Sequence, residues 1–262
     1  RTRHTLIYIG IHAHDEHQTV GVLLWRLRKL FQEEGQDFHI IVVDDASTDG
    51  TSEVLEPYVE ILPLTVLRNE TRRGHAACTE RIVREALDRS EYHRRDALVT
   101  MHPDFTHPPE TIHEMLRRYQ SGADLVLGVV GDWRGASRRY RMGRWLASRI
   151  APHLPLPPEA EDPVSGFRLY RLFVLGRALE ARPSSGGPLL HHEGWAANAE
   201  LLARVWPHTR QVEQVEYTFD VTRRYRESRV RFLPQVWGLV RAARDGALER
   251  QVFELGKNAE RA

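Results

Sequence analysis

Lysine is nearly absent from this chain: Lys29 and Lys257 are the only two, and the remaining side-chain cations are arginines. Net charge is also small, +1 at neutral pH. That lacks the strong basic excess of a general nucleic-acid binder, so no nucleic-acid partner is expected. A single cysteine, Cys78, excludes an intramolecular disulfide and fits a reducing compartment. No run of about eighteen apolar residues occurs, so no membrane-spanning helix is expected. No signal-peptide pattern is visible, and a cytoplasmic location is expected. Internal repeats, low-complexity tracts and linkers are missing too. What remains is 262 residues, 41% hydrophobic and 28% charged, enough for one sizeable core. We read residues 1–262 as one domain.

The most informative stretch runs from Phe38 to Thr51. Ile40–Val43 is an uninterrupted β-branched run, as expected of a strand buried on both faces of a parallel sheet. It stops on Asp44 and Asp45, and a turn-rich Ala-Ser-Thr-Asp-Gly-Thr leads into a helical pattern. Two carboxylates at a strand's carboxyl end sit where open α/β sheets bind ligands. As acceptors they suit ribose hydroxyls or base N–H groups. The plainer alternative is a turn whose Asp and Ser cap the following helix.

Strand-helix alternation continues on both sides of this stretch. Thr5–Ile11 reads as the first strand, and Val20, Leu23, Leu24, Leu27, Leu30 and Phe31 form the stripe of a helix. Ile61–Arg68 reads as a strand, followed by a helix towards Arg89. Asp96–Met101 and Asp124–Val130 are further strands, with a helix from Pro109 to Gln120 between them. Trp195–Val205 is helical, Gln211–Phe219 alternates like an edge strand, and a last helix runs from about Leu233 to Leu255. Between Arg134 and Arg149 lie six arginines and no acid, interleaved with Tyr140, Met142, Trp145 and Leu146. Such a helix suits a membrane interface bearing anionic phosphates, or else packs on the sheet with its arginines solvated.

Val-Asp-Asp-Ala-Ser-Thr-Asp-Gly-Thr resembles the signature of family 2 glycosyltransferases, and further motifs follow in the family's order. The resemblance runs from about Thr5 to Val240 and is nearest to the polyprenyl-phosphate (dolichyl-phosphate) mannosyltransferases. It implies an α/β GT-A fold with a mostly parallel central sheet and helices on both faces. Residues 1–108 would hold the nucleotide sugar and 109–262 the acceptor. On the donor side it implies Ala13, His14 and Glu16 at the nucleotide base, Val43, Asp44 and Asp45 at the nucleoside, and Arg72 and Gly74 at a phosphate. Gly74 and Ala77 keep that corner's small residues, while Ala76 replaces a glycine. His102-Pro103-Asp104 stands where the family carries Asp-x-Asp, whose carboxylates hold a divalent cation, Mg²⁺ or Mn²⁺, on the pyrophosphate. Here His102 replaces the first Asp. Either the imidazole serves as a ligand favouring Mn²⁺, or Asp104 and the phosphates carry the cation, or the site is degenerate.

On the acceptor side the resemblance implies Arg134, Arg144, Ser148, Arg168, Glu200, Arg223 and Arg229 around the acceptor or its phosphate. Asp162 is the candidate base-like residue, alongside Asp104 as the other catalytic carboxylate. A turn cap or an Arg168 salt bridge is the alternative for Asp162. His191-His192-Glu193-Gly194 suggests zinc, but no third ligand follows at metal spacing. The implied reaction is inverting hexosyl transfer, mannose from GDP-mannose first and UDP-glucose second, to a polyprenyl phosphate by a peripheral membrane protein. The alternatives are a soluble small-molecule or glycan acceptor, and a sugar-nucleotide-binding protein without turnover.

Overall fold

The computed structural model describes residues 5–150, 154–182, 187–224 and 233–245. Its strands are β1 (Ile7–Ala13), β2 (Phe38–Asp44), β3 (Leu64–Arg68), β4 (Ala97–Met101), β5 (Leu125–Arg134), β6 (Arg168–Arg171) and β7 (Val212–Asp220). Between them run α1 (Val20–Glu34), α2 (Thr51–Ile61), α3 (His75–Arg89), α4 (Thr111–Gln120), α5 (Arg138–Ile150), α6 (Leu172–Glu180) and α7 (Trp195–Val205). Residues 233–245 form a further helix, α8. The strands make one sheet in the order β3-β2-β1-β4-β6-β5-β7. All neighbours are parallel except β6, which is antiparallel to both β4 and β5.

Side-chain alternation explains the layers. Ile7, Ile9 and Ile11 of β1 face α1 and α4, meeting Leu24, Leu27, Phe31, Ile112 and Met115. Tyr8 and its neighbour-strand equivalents Ile41, Val43 and Leu98 face α3, α6 and α7 instead. Gly10 lies on that second face because α3 sits directly on it. A Cβ there would come 2.3 Å from the Ile82 methyl. A third cluster joins α5, α7 and α8 through Ala147, Trp195, Ala196, Leu239 and Ala243. Among the described residues, no helix is long and apolar enough to cross a membrane.

The expected mostly parallel α/β sheet is present, with β7 on an edge. Several boundaries move. Ile61 closes α2 rather than opening a strand, and β1 extends through His12 and Ala13. Trp133 and Arg134 finish β5, so the arginine-rich helix starts at Arg138. Strand β6 was not anticipated. It has only four residues, with Arg at both ends. The expected last helix is described to residue 245, and its remainder lies outside the described residues.

Candidate functional site

The carboxyl ends of β1 and β4 open into one crevice, with the end of β2 packed behind it, at the position open α/β sheets use for ligands. Each of the three following turns holds one non-glycine residue in the left-handed region: Asp15 (φ 54°), Ala46 (φ 55°) and Phe105 (φ 59°). Such conformations cost about 1 kcal/mol or more each and concentrate at functional sites. The crevice is lined by His12, His14, Glu16, Arg72 and His75 at one end. Tyr140, Trp195, Phe219 and Arg224 close the other.

Four imidazoles run across its floor. His12 and His75 approach with their Nδ1 atoms 3.4 Å apart, and His75 stacks towards His102 at 6.0 Å between centroids. His102 lies 4.6 Å from His107, whose ring stacks on Phe167. Asn198 Nδ2 donates to the Val164 carbonyl, so its Oδ1 faces His75 Nε2 at 2.9 Å and places a proton on that nitrogen. Burial, reinforced by neighbouring His12 and His102, pushes the His75 pKa down to about 3. His102 falls to about 4, mainly by burial and against the pull of Asp104. His107 is lowered further below its ordinary value by burial and the same cationic surroundings. His75, His102 and His107 are therefore neutral rings at physiological pH.

Asp44 and Asp45 are both fully buried, and the structure gives them tasks other than binding ribose. Asp45 accepts from Asn69 Nδ2 (2.8 Å), Arg73 N (2.7 Å) and Gly74 N (2.9 Å). Burial raises its pKa, but these bonds outweigh it and keep the carboxyl far below the usual range. Asp44 accepts from Ser47 N and Ser52 Oγ. Through these five bonds the pair ties the β2 turn and the approach to α3 together, whereas the α2 N-cap, Gly50, has no side-chain cap. Ala13 and Val43 are likewise buried strand residues behind the crevice wall. His14 Nδ1 meets the Asp45 carbonyl at 2.8 Å, and Glu16 accepts from Thr19 Oγ1 at the start of α1. His14, Glu16, Arg72, His102, Pro103 and Asp104 all line the crevice.

Gly74 has φ 89°, and a Cβ there would meet the Glu193 carboxylate at 2.8 Å. Glu193 itself accepts from the His75 and Ala76 backbone N–H groups at the start of α3. Asp104 accepts from Thr106 N (3.2 Å) and Thr106 Oγ1 (2.6 Å), and its Oδ2 lies 2.7 Å from Arg224 Nε. Burial alone would raise the Asp104 pKa; the charges of Arg224 and His102 and the Thr106 bonds lower it overall.

The acceptor-side residues divide more sharply. Arg144 and Asp162 form a close, largely buried ion pair, with the guanidinium between the Trp133 and Trp195 rings. With Ser148 they line a second groove beside Trp145. The Ser148 hydroxyl donates to the Trp145 carbonyl. Arg168 is 1% exposed and holds the Asn198 and Pro163 carbonyls at 2.6 and 2.5 Å. It buttresses the wall rather than meeting a phosphate, because β6 turns it inward. Glu200 is buried too, gripping the His191 and His192 backbone N–H groups and Arg204. Arg134 and Arg223 are exposed and pair with Asp132 and Asp220. Arg229 lies outside the described residues. Arg224, one place from the expected Arg223, joins Arg72 in the crevice lining, and a run of arginines gives no sign of which one turns in.

His12, Asp45 and Cys78 bring ligand atoms within 4.8 Å of one another. Asp45 is already saturated by N–H donors, however, and burial pushes the Cys78 thiol upward, away from the thiolate a metal needs. His102 and Asp104 line the open crevice: a neutral imidazole, and a carboxylate whose oxygens meet Thr106 and Arg224, are donors of the mixed kind Mn²⁺ accepts.

Residues 8–178 match the family model described as Glycosyl transferase family 2. Among curated proteins, the chain is 29% identical over 176 residues to a dolichol-phosphate mannosyltransferase of Pyrococcus furiosus. That match covers 64% of this chain and 47% of the relative. It is also 29% identical over 143 residues to an undecaprenyl-phosphate 4-deoxy-4-formamido-L-arabinose transferase of Pseudomonas paraeruginosa, covering 53% of this chain and 39% of the relative. The chain thus spans about half or less of the length of the curated relatives it matches. Among solved structures, glucosyl-3-phosphoglycerate synthase of Mycobacterium tuberculosis, crystallised with Mn²⁺, UDP and glucosyl-3-phosphoglycerate, aligns with TM-score 0.61 at 20% identity. The alignment covers 94% of this chain and 80% of that one. Mannosyl-3-phosphoglycerate synthase of Rubrobacter xylanophilus aligns with TM-score 0.64 at 17% identity, covering 91% and 72%. At these identities the likeness establishes the fold alone.

Proposed function

This chain belongs to glycosyl transferase family 2, and from that premise we propose that it moves a hexosyl group from a nucleotide sugar to a polyprenyl phosphate at a membrane surface. One observation carries the reading: the donor crevice and an exposed apolar face share the α5–α7–α8 side of the molecule. Met142, Trp145 and Leu146 of α5 and Trp237 and Val240 of α8 are exposed, with the arginines of α5 around them. Aromatic and aliphatic side chains ringed by cations suit a headgroup boundary with anionic phosphates. The printed names of the two curated relatives point to lipid-phosphate acceptors as well.

In this reading the nucleotide lies across the β1, β2 and β4 turns, with His14 and Glu16 at the base end and Arg72 near the phosphates. His102 and Asp104 would hold a divalent cation, which supplies Lewis-acid stabilisation of the leaving nucleoside diphosphate. The acceptor approaches from the groove of Arg144, Ser148 and Trp145. Its phosphate oxygen attacks the anomeric carbon as the bond to the nucleoside diphosphate breaks, inverting that carbon. The acceptor phosphate is already ionised, so no strong base is required. Asp162 then acts by fixing Arg144, which aligns the phosphate. GDP-mannose and UDP-glucose are the donors to test first.

The whole-length likeness to phosphoglycerate synthases favours a second reading, in which the acceptor is a small phosphorylated acid. Turnover assays with GDP-mannose and UDP-glucose, run against lipid extract and against phosphoglyceric acid, separate the two. Transfer to lipid extract alone is the expected result. Transfer only to the soluble acid would establish the second reading, and no turnover with either would overturn both.

A further inference from the structure

Arg224 lies directly against Asp104, one of the two candidate cation ligands. Its side chain is 12% exposed, and its Nε lies 2.7 Å from Asp104 Oδ2. The N–H direction does not align with that oxygen, so charge alone holds the two together. Among the described residues, no hydrogen bond engages the guanidinium. Arg168 is better served: its two terminal nitrogens hold backbone carbonyls, although its Nε too has no partner. A guanidinium carries five donors, and withdrawing them from water without acceptors is costly. The crevice around it encloses about 270 Å³, at the lower edge of the ~300–1,000 Å³ usual for small-molecule sites. Arg224 takes part of the space a ligand needs, with its ring neighbour Phe219 5.7 Å away.

We propose that Arg224 is the resident counter-cation of Asp104: a divalent cation binds by displacing it, and the freed guanidinium turns its unfilled donors to the diphosphate. This rests on the donor-site reading above. Two positive charges cannot share one carboxylate cheaply, so Arg224 lowers the cation affinity of the free protein. Once phosphate oxygens are present, the same side chain has acceptors for its fork and adds to their binding. Arg224 thereby makes cation binding depend on the donor, without itself touching the acceptor.

The test is Mn²⁺ binding to the full chain, read from the free-ion paramagnetic resonance signal without nucleotide. Arg224→Gln should bind Mn²⁺ at least tenfold more tightly than wild type, and Asp104→Asn should weaken binding in both backgrounds. Arg224→Lys keeps the charge and should stay near wild type, which guards against a folding artefact. With EDTA present, Arg224→Gln should bind GDP and UDP several-fold more weakly by calorimetry. That opposite movement of two ligands is the signature. Equal Mn²⁺ affinity in wild type and Arg224→Gln would overturn the proposal. Donor-sugar binding to the wild type is measured separately, so a failure of the donor-site reading shows there and leaves the Mn²⁺ comparison intact.

Discussion

Glu193 accepts the backbone N–H of His75 at 2.8 Å, so the start of α3 is capped by the protein's own carboxylate. Helix starts of this kind attract phosphates because free N–H groups and the helix dipole both point outward. Here a side chain from more than a hundred residues away already fills the position. We predict that Glu193→Gln costs about 1 kcal/mol of stability, a lost charged cap. It should also tighten GDP or UDP binding a few-fold. Calorimetry checks this, and unchanged nucleotide affinity would show that phosphates bind elsewhere.

The histidine floor predicts a stability loss in mild acid. His75 titrates at about 3 when folded and near 6.5 when unfolded. Its contribution is complete above pH ~6.5 and is lost as pH falls from there towards 3, because the unfolded chain takes up the proton first. His102 acts with the same sign. Wild type should lose about 1–2 kcal/mol per such ring between pH 7 and pH 5. Thermal melts of His75→Gln should show a shallower pH dependence; an identical slope would refute the assignment.

Trp145 is 57% exposed and Trp237 is 64% exposed, on neighbouring helices. Each indole inserted at a lipid boundary contributes on the order of 1.5 kcal/mol or more. Replacing either by Ala should lower binding to anionic vesicles about tenfold while nucleotide binding stays unchanged. Vesicle co-sedimentation settles it, and full retention by the double variant would remove these helices from the membrane face.

Arg168→Ala should act on folding rather than on phosphate. It leaves the Asn198 and Pro163 carbonyls without their donor inside the protein, at about 3 kcal/mol or more. The melting temperature should fall, and diphosphate affinity measured well below that temperature should hold. A selective loss of affinity in a stably folded variant would return Arg168 to the binding site.

Much of the fold was legible because its strands are buried on both faces and its helices carry apolar stripes. The Ile40–Val43 run and the Leu23–Phe31 periodicity show this directly. Strand β6 was hidden because it has four residues and begins and ends on arginine, against every compositional sign of a strand. The crevice's mouth was legible at His14, His102 and Asp104, each at the end of a recognisable strand. Its chemistry was less so. His12, His75 and His107 come from β1, the start of α3 and the turn after β4, and only the sheet order brings their rings together. Glu193 and Arg224 reach the crevice from distant segments, so no local spacing announces them. Arg168 and Glu200 look like binding residues in sequence, yet contacts to backbone carbonyls and N–H groups turn both inward.

The direction of β6 has a bearing on how such a protein diversifies. Running against β4, it is entered at the crevice rim, where the Gly166 carbonyl takes the Thr100 hydroxyl at 2.7 Å. The stretch leading into β6 therefore shapes the far wall, whereas the stretches leaving β1, β2 and β4 shape the near one. The two lengths of chain meet at this hydroxyl–carbonyl contact and at the His107–Phe167 stack, and Arg224, from beyond β7, meets the near one at Asp104. A lineage can rewrite one length for a new partner and inherit the other unaltered.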